Sequence, residues 1–392
     1  MEASEKIFTT RSNKTIAAKW WSYPAAHVPP QRVGICLHGW LDNASTFDLL
    51  APLITTGTGN GGVDVLLCVD LAGHGRSGHN ISGVYHPNEH VADVADVLFG
   101  LGWFVDDAST STSTSPSVIV IGHSMGGGIG AVLCGTFPNR VHGLCMLEAV
   151  GPWSGNDAAA AKDLRKSILV SRTRRLGKNA RPPRIFPDYE SAAIRRSEGN
   201  VVGTLSLEAA RILCRRGLQE MEVPMLSGDR NSRESPVSGY MWSTDPALLG
   251  PSRMKLSPSQ ARTFCNSLRC PTMVLTVDNG IMRRATSWMG KDTLWGIGTG
   301  FFLRVVLYMV TTIKWLRSWF YSSPNQTLSK IVYGLNYGLG LRERLSIMKS
   351  AAPMLLHAVM ETGGHHPQLT EPSRVAYHIL DFLQKSMRYS IK

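Results

Sequence analysis

The sequence predicts an α/β fold: a mostly parallel central sheet with helices on both faces and a helical cap. Three observations carry this. Short β-branched apolar runs alternate with longer helical patterns, the signature of strands joined by crossover helices. One of those runs passes through a Gly-x-Ser-x-Gly turn straight into a helix of small residues. A long, basic, helix-rich stretch, residues 151–270, separates two strands and exceeds any simple connection.

The parallel strands are read at "VGICLHG", "DVLLCVD", "SVIVIG", "GLCMLEA", "TMVLTVD" and "MLLHAVM". Ahead of them, "KIFTT" and "TIAAKWW" flank "RSNK", which predicts an antiparallel hairpin at the sheet edge. The Ser/Thr-rich "DASTSTSTSPS" is a surface loop. The chain therefore divides into residues 1–150 (core), 151–270 (cap) and 271–392 (core again), the last interrupted by an insertion at 282–350.

Composition bounds the function. With 392 residues, 43% of them hydrophobic, the chain can bury a large core, and 18% charged residues fit a soluble profile. The net charge of +12 suits anionic partners, and much of the excess lies in residues 165–184. No nucleic-acid-binding signature accompanies it, so no nucleic-acid partner is expected. Seven cysteines, none in a C-x-x-C pair, argue for a reducing compartment without disulfides or a zinc site. "MEASEKIFTT" has no apolar core of a secretory signal, and "RYSIK" is no peroxisomal tripeptide, so a cytoplasmic location is expected.

"VIVIGHSMGGGIGA" supplies strand, Gly122-x-Ser124-x-Gly126 and helix start in the order a nucleophile elbow requires. Glycines on either side let backbones approach where a Cβ would clash, and the serine is presented at the positive end of a helix. Upstream, His38-Gly39-Trp40 ends a strand. The Trp40 amide and the Met125 amide can converge as an oxyanion hole. "METGGHHPQLTEP" puts two histidines on a loop after a late strand, in the order serine, acid, histidine. His365 comes first and is the expected base; His366 is expected to pack or face solvent.

Two positions can supply the carboxylate. Glu148 ends the strand after the elbow helix. The next core strand, "TMVLTVDNG", puts Asn279 at the usual acid position, with Asp278 one residue early. Neighbouring residues at a strand end point opposite ways, so Glu148 is preferred and Asp278 is the alternative. Asp70 in "DLAGHGRSGH" suits loop-fixing hydrogen bonds better than catalysis. His86 and His90 have i, i+4 spacing but no third ligand, so no metal and no cofactor is expected.

Together these residues resemble the α/β-hydrolase superfamily, and more closely the serine hydrolase-like protein family. The resemblance runs from "AAKWW" through "LHGWLDNASTFDLLAPL", "VDLAGHGRSGH", "GHSMGGGIGAVLCGTFPNRV" and "LEAVGPW". It continues in "FPDYESAAIRR", "LSLEAARILCRRGL" and "GYMWSTDPALLGPSRMKLSPSQ" and ends with "GGHHPQLTEP". It implies an α/β-hydrolase fold, Ser124 as nucleophile and His365 as base. "MLEAV" is similar to the strand-end glutamate of some haloalkane dehalogenases, which supports Glu148. Those enzymes and epoxide hydrolases carry aspartate at the elbow, so serine argues against both chemistries. The expected reaction is hydrolysis of a small-molecule carboxylic ester, or a thioester, through an acyl-serine. The alternatives are a non-catalytic ligand-binding scaffold and a cofactor-free C–C hydrolase or oxygenase.

Within the insertion, Phe302, Val305, Met309, Ile313, Leu316 and Phe320 share one helical face, opposite Arg304, Thr311, Lys314 and Ser318. Trp315 and Trp319 flank them. This pattern over 301–320 fits peripheral contact with a membrane surface, a helix packed on the cap, or translated intron sequence. A single span is excluded because the strands on either side join one sheet.

Overall fold

The computed structural model describes residues 1–26, 28–105, 115–155, 157–176, 184–199, 205–223, 237–282 and 341–387. Its centre is an eight-stranded sheet in the order β1-β2-β4-β3-β5-β6-β9-β10. These are β1 (Ser4–Thr9), β2 (Thr15–Ser22), β3 (Arg32–Leu37), β4 (Val65–Val69), β5 (Ser117–His123), β6 (Gly143–Leu147), β9 (Thr272–Val277) and β10 (Leu355–Met360). The stretch from β4 to β10 pairs in parallel throughout. β2 runs antiparallel to β1 and to β4, which makes the predicted hairpin the sheet's edge.

β3, β4, β6 and β9 are buried along their whole length because both their faces are covered, whereas β10 at the sheet's other edge leaves His357 and Val359 exposed. Val33, Ile35 and Leu37 of β3 and Val118 and Val120 of β5 join one core cluster. Into it pack α2 (Pro87–Gly100), α3 (Met125–Thr136) and α7 (Pro258–Asn266). Cys36, Ile119 and Ile121 point the other way, toward α1 (Ala51–Ile54) and α10 (Pro372–Met387). The chain leaves β3 toward β4 and returns for β5 on the opposite side of β3. That reversal opens a crevice at the carboxyl ends of β3 and β5, where sites form in open α/β sheets.

Between β6 and β9 the chain leaves the sheet and builds α4 (Ala160–Leu176), α5 (Tyr189–Ser197) and α6 (Leu207–Gly217) before α7 returns to the core. Asp188 and Ser206 cap α5 and α6 by accepting from backbone amides of the first turn. This segment also holds an antiparallel pair that sequence reading did not predict, β7 (Leu218–Val223) with β8 (Val237–Trp242). Leu205, Ala209, Ile212 and Leu213 of the segment pack on Leu369 of α9 (Pro367–Thr370), just beyond the predicted base.

Residues 341–350, the end of the insertion read from sequence, belong to α8 (Leu341–Ala351), which leads into β10 and buries Met348 in the core. The amphipathic pattern over 301–320 lies outside the described residues. Among the described residues, no helix is long and apolar enough to cross a membrane. All seven cysteines are buried free thiols.

Packing on the α10 face sets a direct test. Phe382 is fully buried there and Tyr377, on the same helix, is 68% exposed. Phe382→Ala is expected to cost about 3–5 kcal/mol in urea unfolding. Tyr377→Ala should stay within about 0.5 kcal/mol.

Candidate active site

Ser124 sits directly after β5 with φ 50° and ψ −115°, a left-handed backbone rare outside glycine. Its amide donates to the Leu147 carbonyl at 2.9 Å, which ties the turn to β6. The flanking glycines are needed for contact distance. A Cβ on Gly122 would lie 2.4 Å from the Gly126 carbonyl oxygen, and one on Gly126 would lie 2.0 Å from that of Leu37. The turn thus exists only where no side chain intrudes.

His365 reaches this serine from beyond β10. Gly363 and Gly364 both take positive φ, turning the chain back toward the sheet. The Gly364 amide donates to Asn279 Oδ1 at 2.8 Å. His365 Nε2 then lies 3.0 Å from Ser124 Oγ, and its Nδ1 lies 3.4 Å from Glu148 Oε2. Burial, followed by the charge of His366, pushes the His365 ring down to about 3. It is therefore neutral at pH 7, the form that can accept a proton.

Glu148 is fully buried at the end of β6, with a left-handed φ of 48°. Oε1 accepts from the Val277 amide at 2.7 Å, and Oε2 accepts from those of Ile281 at 2.8 Å and Met282 at 3.3 Å. Burial raises this carboxyl to about 7, with the three amides pulling the other way. Asp278 is exposed at the end of β9, its amide bonded to the Met360 carbonyl. The carboxylate against His365 is that of Glu148. Asn279, at the usual acid position, anchors the loop that carries His365.

Of the two expected oxyanion donors, Trp40 lies on the loop after β3 and Met125 directly follows Ser124. Met125 opens α3, so its amide has no acceptor within the helix and lies at the positive helix end. The Trp40 loop is braced on both sides: the indole Nε1–H donates to the Leu248 carbonyl at 3.1 Å, and His38 Nε2 accepts from the Leu71 amide at 2.9 Å. Asp70 fixes loops as expected, accepting from the amides of Ala44 and Arg76 and from Arg216 Nε. His86 caps α2 through Nδ1, and His90 packs beside Tyr85 and His74.

Sequence reading missed a buried polar centre beside these residues. Asp42 accepts from Arg196 Nη2 at 2.7 Å on Oδ1 and from His366 Nε2 at 3.1 Å on Oδ2. His366 is thus a buried partner of Asp42, which decides for packing between the two expectations for it. Burial pushes the Asp42 carboxyl up, but His366, Arg196 and His123 outweigh it and hold it well below the usual carboxylate range. His123 Nε2 donates to the His365 carbonyl at 2.6 Å and so holds the base from behind. Burial, with His365 and His366, keeps the His123 ring well below its ordinary value and therefore neutral. Only the position of His123 next to the serine hinted at this. Nothing local links Asp42 to a residue more than three hundred positions away.

Residues 35–280 match the family model described as the alpha/beta hydrolase family. The chain belongs to the alpha/beta hydrolase family. Within it, the chain is similar to proteins named serine hydrolase-like. One from Dictyostelium discoideum is 26% identical over 265 residues, 66% of this chain and 62% of that protein. One from Homo sapiens is 35% identical over 134 residues, 34% of this chain and 55% of that protein. The chain thus spans less than two thirds of the length of either. Among solved structures, a hypothetical protein of Pseudomonas aeruginosa superposes with a TM-score of 0.62 at 23% identity, covering 98% of this chain and 100% of that one. A thioesterase domain from the curacin biosynthetic pathway gives 0.60 at 19% identity, covering 97% and 100%. These two likenesses carry the fold.

Gly280 tests the placement of the acid. A Cβ built there lies 2.3 Å from Glu148 Oε2. Gly280→Ala is expected to displace the carboxylate and slow fluorophosphonate labelling of Ser124 by roughly 10²-fold. Circular dichroism should show the fold retained; labelling at the wild-type rate would contradict the placement.

Proposed function

We propose that this protein is a serine hydrolase that cleaves a small-molecule carboxylic ester through an acyl-serine, with a thioester as the related substrate class. The observation that carries the reading is the continuous contact from Ser124 Oγ to His365 Nε2 at 3.0 Å and from His365 Nδ1 to Glu148 at 3.4 Å. Family membership supports hydrolysis; the ester is our reading of the site.

In this mechanism Ser124 Oγ attacks the acyl carbon while His365 Nε2 takes its proton. Glu148 accepts from Nδ1–H, which fixes the tautomer and balances the imidazolium as it forms. The amides of Trp40 and Met125 hold the oxygen on which charge develops. The imidazolium then protonates the leaving alkoxide or thiolate. In the second half, His365 draws a proton from water, the hydroxide attacks the acyl carbon, and Ser124 departs with its proton restored. The segment between β6 and β9 serves as a cap over the crevice, and its side chains would select the acyl group.

A chain-length series of simple acyl esters, with fluorophosphonate labelling, tests the reading. Wild type should turn over at least one ester and label at Ser124, and Ser124→Ala should lose roughly 10⁴-fold or more in kcat. A wild-type protein that neither labels nor turns over any ester would be a binding scaffold instead. For the acid, Glu148→Gln should lower kcat about 10²–10⁴-fold while Asp278→Asn stays near wild type. A large loss in the second variant alone would reverse the assignment.

The pH profile follows from the buried acid. Glu148 must be ionised to balance the imidazolium, and burial has raised it to about 7. kcat/KM should therefore rise with pH through an apparent pKa near 7 and be largely lost by about pH 5. A flat profile across that interval would show that the carboxylate ionises elsewhere.

A further inference from the structure

Three site loops converge on a cluster that hydrolysis does not use. Asp42 lies on the loop after β3, His123 ends β5, and His366 follows the proposed base. Their ligand atoms all lie within 4.8 Å of one another, and all three residues are buried. Asp42 Oδ2 is 3.1 Å from His366 Nε2 and 3.7 Å from His123 Nδ1.

The protons do not satisfy this arrangement. His123 Nε2 faces the His365 carbonyl at 2.6 Å, and a carbonyl only accepts, so the ring's proton is on Nε2. Nδ1 then presents a lone pair toward Asp42 Oδ2, itself an acceptor. That buried nitrogen has no hydrogen-bond partner among the described residues. Two facing acceptors repel, and a cation between them would bind both. An imidazole whose outer N–H is held by a backbone carbonyl is also how metal-ligating histidines are oriented. Arg196 holds Oδ1 at 2.7 Å and leaves Oδ2 directed at the two rings.

We propose that Asp42, His123 and His366 form a binding site for a divalent transition ion of the zinc type, tying together the three loops that carry the oxyanion donor, the nucleophile and the base. Two imidazoles and one carboxylate are a borderline N/O donor set suited to Zn²⁺ and Co²⁺. Metal–ligand bonds of about 2.0–2.2 Å in a tetrahedral array set ligand atoms roughly 3.4 Å apart. The two measured separations bracket that spacing. On binding, His366 Nε2 gives its proton to solvent and turns its lone pair to the ion. Arg196 opposes the ion with its own positive charge, so the site is weaker than its ligands alone would make it.

The test uses the full chain stripped with a chelator and titrated with zinc chloride by calorimetry, with Co²⁺ absorption as the probe of coordination. One equivalent should bind, raise Tm and give the intense visible bands of a tetrahedral cobalt site. His366→Ala and Asp42→Asn, each checked for folding by circular dichroism, should each weaken binding tenfold or more. Arg196→Gln should strengthen it several-fold. Ser124→Ala should bind zinc as wild type does, which separates this site from the hydrolytic reading. Absence of stoichiometric binding to wild type, or binding untouched by both ligand variants, overturns the proposal.

Discussion

The active centre depends on one close approach, the first turn of α3 against the end of β3. Gly126 lies so near Leu37 that a methyl group there would stand 2.0 Å from a carbonyl oxygen. Only a bare backbone permits this, and it holds the helix start where Ser124 must turn through a left-handed conformation. Such strain costs on the order of 1–3 kcal/mol and persists only when its surroundings enforce it. Here β3, β6 and α3 all do so, since the Ser124 amide is bonded to Leu147 while the glycines pack without side chains. The position of the Met125 amide follows from the same contact.

The acid is held by different means. A carboxylate taken fully out of water is costly, and burial raises Glu148 to about 7. Three backbone amides from the end of β9 and the turn after it offset part of that cost. That same turn carries Asn279, whose side chain anchors the Gly364 amide. A turn that carries asparagine at the usual acid position thus holds both Glu148 from the neighbouring strand and the loop bearing His365. The left-handed φ of Glu148 belongs to this arrangement, because it redirects the carboxylate from the strand end toward that turn.

The parts readable in the sequence were those written locally. Apolar runs mark the central strands because those are buried on both faces, and Gly122, Ser124 and Gly126 mark the elbow because its requirements lie within five residues. The carboxylate was narrowed to two positions by strand-end geometry. Asp42 with His366, and Arg216 with Asp70 and Glu5, were not readable: each joins distant segments, and a lone aspartate or arginine has no periodicity to betray its partner. The β7–β8 pair was missed inside a segment read as helical. For His366 the sequence leaves packing and solvent exposure both open, since exposure is a property of the assembled fold and not of a loop's composition.

These long-range contacts also explain how the inserted segment bears on the chemistry. It grips the site loops more than the sheet. Arg196 reaches Asp42, Trp40 reaches Leu248, the Asn43 amide group donates to the Leu213 carbonyl, and Arg216 pairs with Asp70 deep in the interior. Two of the four are buried ion pairs, and removing one partner of such a pair leaves the other charge without compensation, so they are costly to break in a way surface pairs are not. Two of the four contacts end on the loop that presents the Trp40 amide and one on the indole of Trp40 itself. A shift of the segment would therefore move residues 40–43 before it moved Ser124, whose amide is held by the Leu147 carbonyl. The inserted segment and the loop over residues 40–43 are thus mechanically linked, and the strained elbow supplies the fixed point against which that loop is set.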